Sequence, residues 1–121
     1  MIMIKRVYDP ASEGDGERIL VDRLWPRGVT KEGARISSWM KELGPTTELR
    51  KWFGHDPSRW EEFRRRYAVE LKARGRQVLL GDLAERSRRG AVTLVFGARD
   101  REHNHAIVLK NIIEEIARKA A

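Results

Sequence analysis

A chain of 121 residues, 40% apolar and with four tryptophans, is long enough for one hydrophobic core and too short for two. It has no cysteine, which excludes disulfides, thiolate nucleophiles and thiolate metal sites, and no apolar run of about 18 residues, so a membrane span has no support. The formal net charge is +7 and 18 of the 25 basic residues are arginine, a balance that favours acidic partners because guanidinium grips phosphate and carboxylate bidentately. A proteome rich in arginine would produce the same bias.

No charged-then-apolar leader opens the chain, and the expected setting is the cytoplasm. Ile2 to Tyr8 has the β-branched and aromatic character of a first strand, stopped by Asp9-Pro10. Ala11 to Gly16 reads as a surface loop. The stretch Arg18 to Gly28 then organises the rest: Ile19, Leu20 and Val21 form an apolar run that Leu24 and Trp25 extend around Asp22-Arg23. Pro26 cannot donate a ladder hydrogen bond and Gly28 tolerates positive φ, so the strand is expected to end there in a turn. A buried strand ending in a turn with two arginines and a tryptophan fits a site at a strand's carboxyl end. An ordinary Asp22–Arg23 ion pair beside a core tryptophan fits equally well.

Val29 to Arg35 has room for one helical turn, and Ile36 to Met40 fits either a short strand or a lone extended segment. Thr46 is a fitting N-cap for a helix from about Thr47 to Phe53, with Gly54 as its stop. Asp56-Pro57 starts another, whose apolar stripe is Trp60, Phe63, Tyr67 and Leu71. Glu61 and Arg65 are expected to pair outside it, and Gly75 to end it. Gln77 to Arg89 is a further helix, with Val78, Leu79, Leu80, Leu83 and Ala84 inward and with Gly81 suggesting a close neighbour. Val92 to Phe96 is the clearest buried strand, its continuous apolar run marking a parallel strand covered on both faces. The last helix is expected from about Glu102 to Lys119.

Arg23-Leu24-Trp25-Pro26-Arg27-Gly28 is followed by Leu49-Arg50-Lys51-Trp52-Phe53-Gly54-His55-Asp56, by Trp60, Phe63 and Tyr67, and by Val92 to Phe96, Asp100 and Asn104-His105-Ala106. Together these motifs resemble the YeaO-like family (domain of unknown function 488) over nearly the whole chain. The resemblance implies a compact bacterial or archaeal α/β domain and no settled activity. The elements agree: an α/β fold, one layered domain over residues 1–121, with a small mostly parallel sheet of three or four strands covered by helices.

If the strands at Ile19 and Val92 are parallel neighbours, Arg23, Trp25 and Arg27 approach Arg99 and Asp100 and the first turn of the final helix. Arg27 and Arg99 would then clamp an anion at the helix N-terminus while Asn104 orients it, with Asn104 and His105 as neutral donors. The bland alternative is that Asp100 caps the helix and Arg99 is solvated. His55 and Asp100 are the groups able to transfer a proton, so they are the catalytic candidates if a reaction occurs. Adjacent side chains rarely pair and Asp56 already caps a helix, so His55 reads more readily as a surface or structural histidine.

His103 and His105 stand two apart and cannot converge on a metal from one helix. No Gly-rich phosphate loop is present, so no metal and no cofactor is expected. Arg64-Arg65-Arg66 and the arginines from Arg74 to Arg89 allow a nucleic-acid surface, but three consecutive arginines spread around a helix and Glu61, Glu62 and Glu70 interleave with them. The expected partner is therefore a small anion. A nucleic-acid binder and a protein-interaction module are the alternatives, and oligomeric state is not legible.

Overall fold

The computed structural model describes residues 1–120. Four strands, β1 (Ile2–Arg6), β2 (Glu17–Leu20), β3 (Ser38–Trp39) and β4 (Val92–Phe96), form a sheet in the order β1-β4-β2-β3. Every pairing is parallel, with Ile4 and Ile19 flanking Leu94 and Leu20 opposite Trp39. The last strand in sequence is thus central in space, which is why all five of its residues are buried and why it is almost wholly apolar. Its one hydroxyl, on Thr93, donates to the Asp15 carbonyl at 2.7 Å.

Five α-helices accompany the sheet: α1 (Lys31–Ala34), α2 (Thr47–Phe53), α3 (Trp60–Glu70), α4 (Arg74–Arg89) and α5 (His105–Ala120). Alternation along the strands sorts side chains into two cores. Ile19, Val92, Leu94 and Phe96 join the larger one, with residues of α2 to α5. Leu20 and Val95 join the smaller one with Val7, Ile36 and Ala34 of α1, closed by Trp25 and Val29. Among the described residues no helix is long and apolar enough to cross a membrane.

Local chemistry sets the helix ends. The Thr46 hydroxyl accepts the Leu49 N–H at 3.2 Å, and Gly54 ends α2 at a left-handed φ of 54°. Asp56 caps the 3-10 turn Pro57–Arg59 that leads into α3. Phe63 of α3 is central to the aromatic packing, its ring 4.4 Å from that of Phe53, 5.7 Å from Trp60 and 5.6 Å from Tyr67.

The structure corrects several expected boundaries. β2 stops at Leu20 rather than running to the Pro26 turn, because Asp22 leaves the ladder to bond across to Gly97. α3 ends at Glu70 in a turn closed by the Lys72 and Ala73 N–H groups, and Gly75 lies inside α4, which begins at Arg74 instead of Gln77. Val78 points outward at 66% exposure, while Leu80, Leu83 and Ala84 face the core. Gly81 has no close neighbour: a Cβ there would meet nothing within 4 Å. Gly81→Ala is accordingly expected to stabilise the protein by about 0.4–1 kcal/mol, seen as a higher urea midpoint.

The expected Glu61–Arg65 pair is replaced by Arg64 on Glu61, with Arg65 and Arg66 both on Glu62. On α4, Arg86 meets Asp82 and Glu17, and Arg88 and Arg89 meet Glu85. The arginine-rich faces carry their own counter-ions.

Candidate functional site

Because β2 and β4 are parallel neighbours, their carboxyl ends open on one edge of the sheet, where α/β folds place ligands. The ladder runs one bond past β2, from the Val21 N–H to the Val95 carbonyl at 3.0 Å. Asp22 then turns across the gap, and its Oδ2 accepts the Gly97 N–H at 2.9 Å. A Cβ on Gly97 would stand 2.9 Å from that same oxygen, so glycine permits the approach.

His105, the first residue of α5, reaches back to this crossing. Its Nε2 lies 3.0 Å from the Val21 carbonyl and 3.2 Å from Asp22 Oδ1. Both are acceptors, so Nε2 carries the proton. Arg23 donates through Nε to the Pro45 carbonyl at 3.0 Å and through Nη2 to that of Gly44 at 2.7 Å, which ties the loop before α2 to the strand end. Asp22 and Arg23 therefore do not pair with each other. Trp25 donates through Nε1 to the Val29 carbonyl at 2.7 Å and meets Trp39 edge-on at 5.3 Å.

These contacts frame a cleft of about 300 Å³. Phe53, Phe63, Pro26 and Pro45 supply apolar wall, and Arg50 and His55 supply cationic or hydrogen-bonding groups. All three histidines of the chain line it. Among the described residues no cluster of three or more His, Asp or Glu is placed to hold a metal ion.

Of the residues singled out from the sequence, Arg23, Trp25, His55 and Asn104 meet at this cleft. Arg27 and Arg99 are exposed and, with Asp100, lie outside its lining. The N-terminus of α5 is already occupied by its own chain. Asn104 Oδ1 accepts the Ile107 N–H at 3.1 Å and its Nδ2 donates to the Asp100 carbonyl at 3.0 Å. The Asp100 carboxylate takes the N–H groups of Glu102 and His103, which turns the chain there and delays α5 from the expected Glu102 to His105. Asn104 is thus the helix cap. Asn104→Ala is expected to lower stability by about 0.5–2 kcal/mol in urea titration.

Sequence reasoning missed Tyr8, Asp22, Arg50 and His103 as cleft residues, while His105, expected beside Asn104 as a neutral donor, does line the cleft. Arg50 stands three residues before Phe53 on one helical face, and that phase is the signal that could have found it. Asp22 offered no such signal, since its Gly97 partner is 75 residues away.

The whole chain, residues 1–121, matches a family model described as "Inactive DUF488-N3 subclade". It is 41% identical over 116 residues to "Uncharacterized protein YeaO" of Escherichia coli strain K12, covering 95% of this chain and 98% of that one. It is 38% identical over 112 residues to "Uncharacterized protein Rv3073c" of Mycobacterium tuberculosis strain H37Rv, covering 93% of this chain and 92% of that one. No solved structure matches it.

Proposed function

Since the chain belongs to the YeaO-like DUF488 family, we propose that it is a cytoplasmic binding protein that holds a small anion, of phosphate or nucleotide type, in the cleft at the strand carboxyl ends. One observation carries this reading. Arg23 and Arg50 line the cleft against one lining carboxylate, Asp22, and no acidic side chain is bonded to Arg50 or His55 among the described residues. The wall is therefore net cationic, and its apolar part suits an organic body attached to the anion.

Binding without chemistry accords with the description of the matched subclade as inactive. A nucleic-acid surface on α3 and α4 has less support, because Arg64, Arg65, Arg66, Arg86, Arg88 and Arg89 are each paired with carboxylates.

A thermal-shift titration with inorganic phosphate and with nucleoside monophosphates at fixed ionic strength tests the reading. An anion present at 100 times its dissociation constant adds about 2.7 kcal/mol, a shift of several degrees in a domain of this size. The wild type and Arg27→Ala are expected to shift, and Arg50→Ala is expected to lose most of the response. A wild type that shifts with none of the anions, or an Arg50→Ala protein that shifts as the wild type does, would refute it.

A further inference from the structure

Anion binding alone does not account for how the cleft holds His103. Asp100 Oδ1 accepts the N–H groups of Glu102 at 2.9 Å and of His103 at 3.0 Å, and Asp100 Oδ2 lies 2.9 Å from His103 Nδ1. The Glu102 N–H above all, then the His103 ring and N–H, hold the Asp100 carboxyl below the usual carboxylate range against partial desolvation. An ionised carboxylate only accepts, so the proton between the two side chains sits on Nδ1. The ring is also steadied edge-on against Trp60, with centroids 5.4 Å apart and planes at 83°.

With Nδ1 committed to Asp100, the remaining nitrogen of the neutral ring, Nε2, is an acceptor, and His103 lines the cleft. An acceptor is a poor neighbour for a bare anion, because its lone pair would face the anion's oxygens. A hydroxyl on the ligand turns the same lone pair into a contact.

We infer that His103 Nε2 is a specificity contact that accepts a hydrogen bond from a hydroxyl of the bound anion, with Asp100 as the positioning residue behind it. The ligand class is then a hydroxylated phosphate ester, such as a polyol or sugar phosphate or the ribose side of a nucleotide. This rests on the anion-binding reading of the same cleft.

The test pairs two probes of equal charge, glycerol 3-phosphate and propyl phosphate, which differ in two hydroxyls. Calorimetry at about pH 8, on the neutral side of an ordinary imidazole, should find the hydroxylated ester bound about three- to tenfold more tightly by the wild type, the worth of one neutral hydrogen bond. His103→Phe keeps a ring against Trp60 and should bind both esters alike. In Asp100→Asn the amide can still accept the two backbone N–H groups while presenting a donor to Nδ1, which moves the ring proton to Nε2. That variant should also lose the preference, and ¹⁵N spectra of the imidazole should show the tautomer change.

Equal affinity of the wild type for the two esters, or a neutral His103 protonated on Nε2 in the wild type, overturns the inference while leaving anion binding intact. Failure of both esters and of inorganic phosphate to bind overturns the anion reading and this one with it.

Discussion

Asp15→Ala is expected to destabilise the protein by about 3–5 kcal/mol, the range found when one partner of a buried ion pair is removed. Asp15 is buried and accepts five hydrogen bonds from four groups: Lys5 Nζ on both oxygens at 3.0 and 3.1 Å, Arg18 Nη1 at 2.6 Å, the Ser12 N–H at 3.0 Å and the Ser12 hydroxyl at 2.9 Å. Removing the carboxylate strands Arg18, which is 3% exposed and whose side chain, among the described residues, bonds otherwise only through Nε, to the Ala34 carbonyl at 2.8 Å. Its Nη2 already has no hydrogen-bond partner among the described residues. The cost comes from the cation left behind more than from the attraction lost.

The same cluster predicts an acid response. Burial opposes the charge on Asp15, but the Ser12 N–H, Lys5, the Ser12 hydroxyl and Arg18 together outweigh it and hold the carboxyl far below the usual range. A carboxyl whose folded pKa is depressed contributes stability that is fully present above its unfolded value, about 3.9, and is lost as pH falls toward the folded one. Urea titrations between about pH 5 and pH 2 should therefore show wild-type stability falling more steeply than that of Asp15→Ala. A loss below about 1 kcal/mol at neutral pH, or parallel acid profiles, would contradict this account.

Gly16→Ala is expected to be as damaging by a different route. Gly16 sits at φ 63° and ψ −135°, and a Cβ there would stand 2.1 Å from the Ala91 carbonyl oxygen. That oxygen accepts the Glu17 N–H at 3.1 Å in the contact that starts the β2–β4 pairing, so it cannot withdraw. Backbone strain of about 1–3 kcal/mol and overpacking of about 1–3 kcal/mol should add at one site, and urea denaturation measures the sum. Gly14→Ala is the control: a Cβ on Gly14 would meet nothing within 4 Å, and its φ is not positive. Its urea midpoint should stay close to wild type. Equal behaviour of the two variants would show that the Gly16 turn relaxes freely.

Much of the fold was legible because its signals are local. The apolar run Val92 to Phe96, the Thr46 and Asp56 caps and the Trp60, Phe63, Tyr67 stripe each depend on residues a few positions apart, and each is present in the structure. The family was legible from contiguous motifs for the same reason. Boundaries failed where a tertiary bond overrode a local preference. Asp22 left its strand for Gly97, and Asp100 took the N–H groups expected to open the last helix.

The sequence alone determined the class of fold and the approximate place of most elements, and it drew attention to the sheet edge at the carboxyl ends of β2 and β4, since periodicity, caps and turns follow from neighbouring residues. Tertiary structure alone decided which side chains meet there. It brought Arg50 and His103 to the cleft, left Arg27 and Arg99 outside its lining, and filled the α5 N-terminus with Asn104. The physical reason is distance along the chain: Asp22 meets Gly97 across 75 residues and His105 meets Val21 across 84. Contacts that far apart are set by how the helices and strands pack, and no local pattern encodes them.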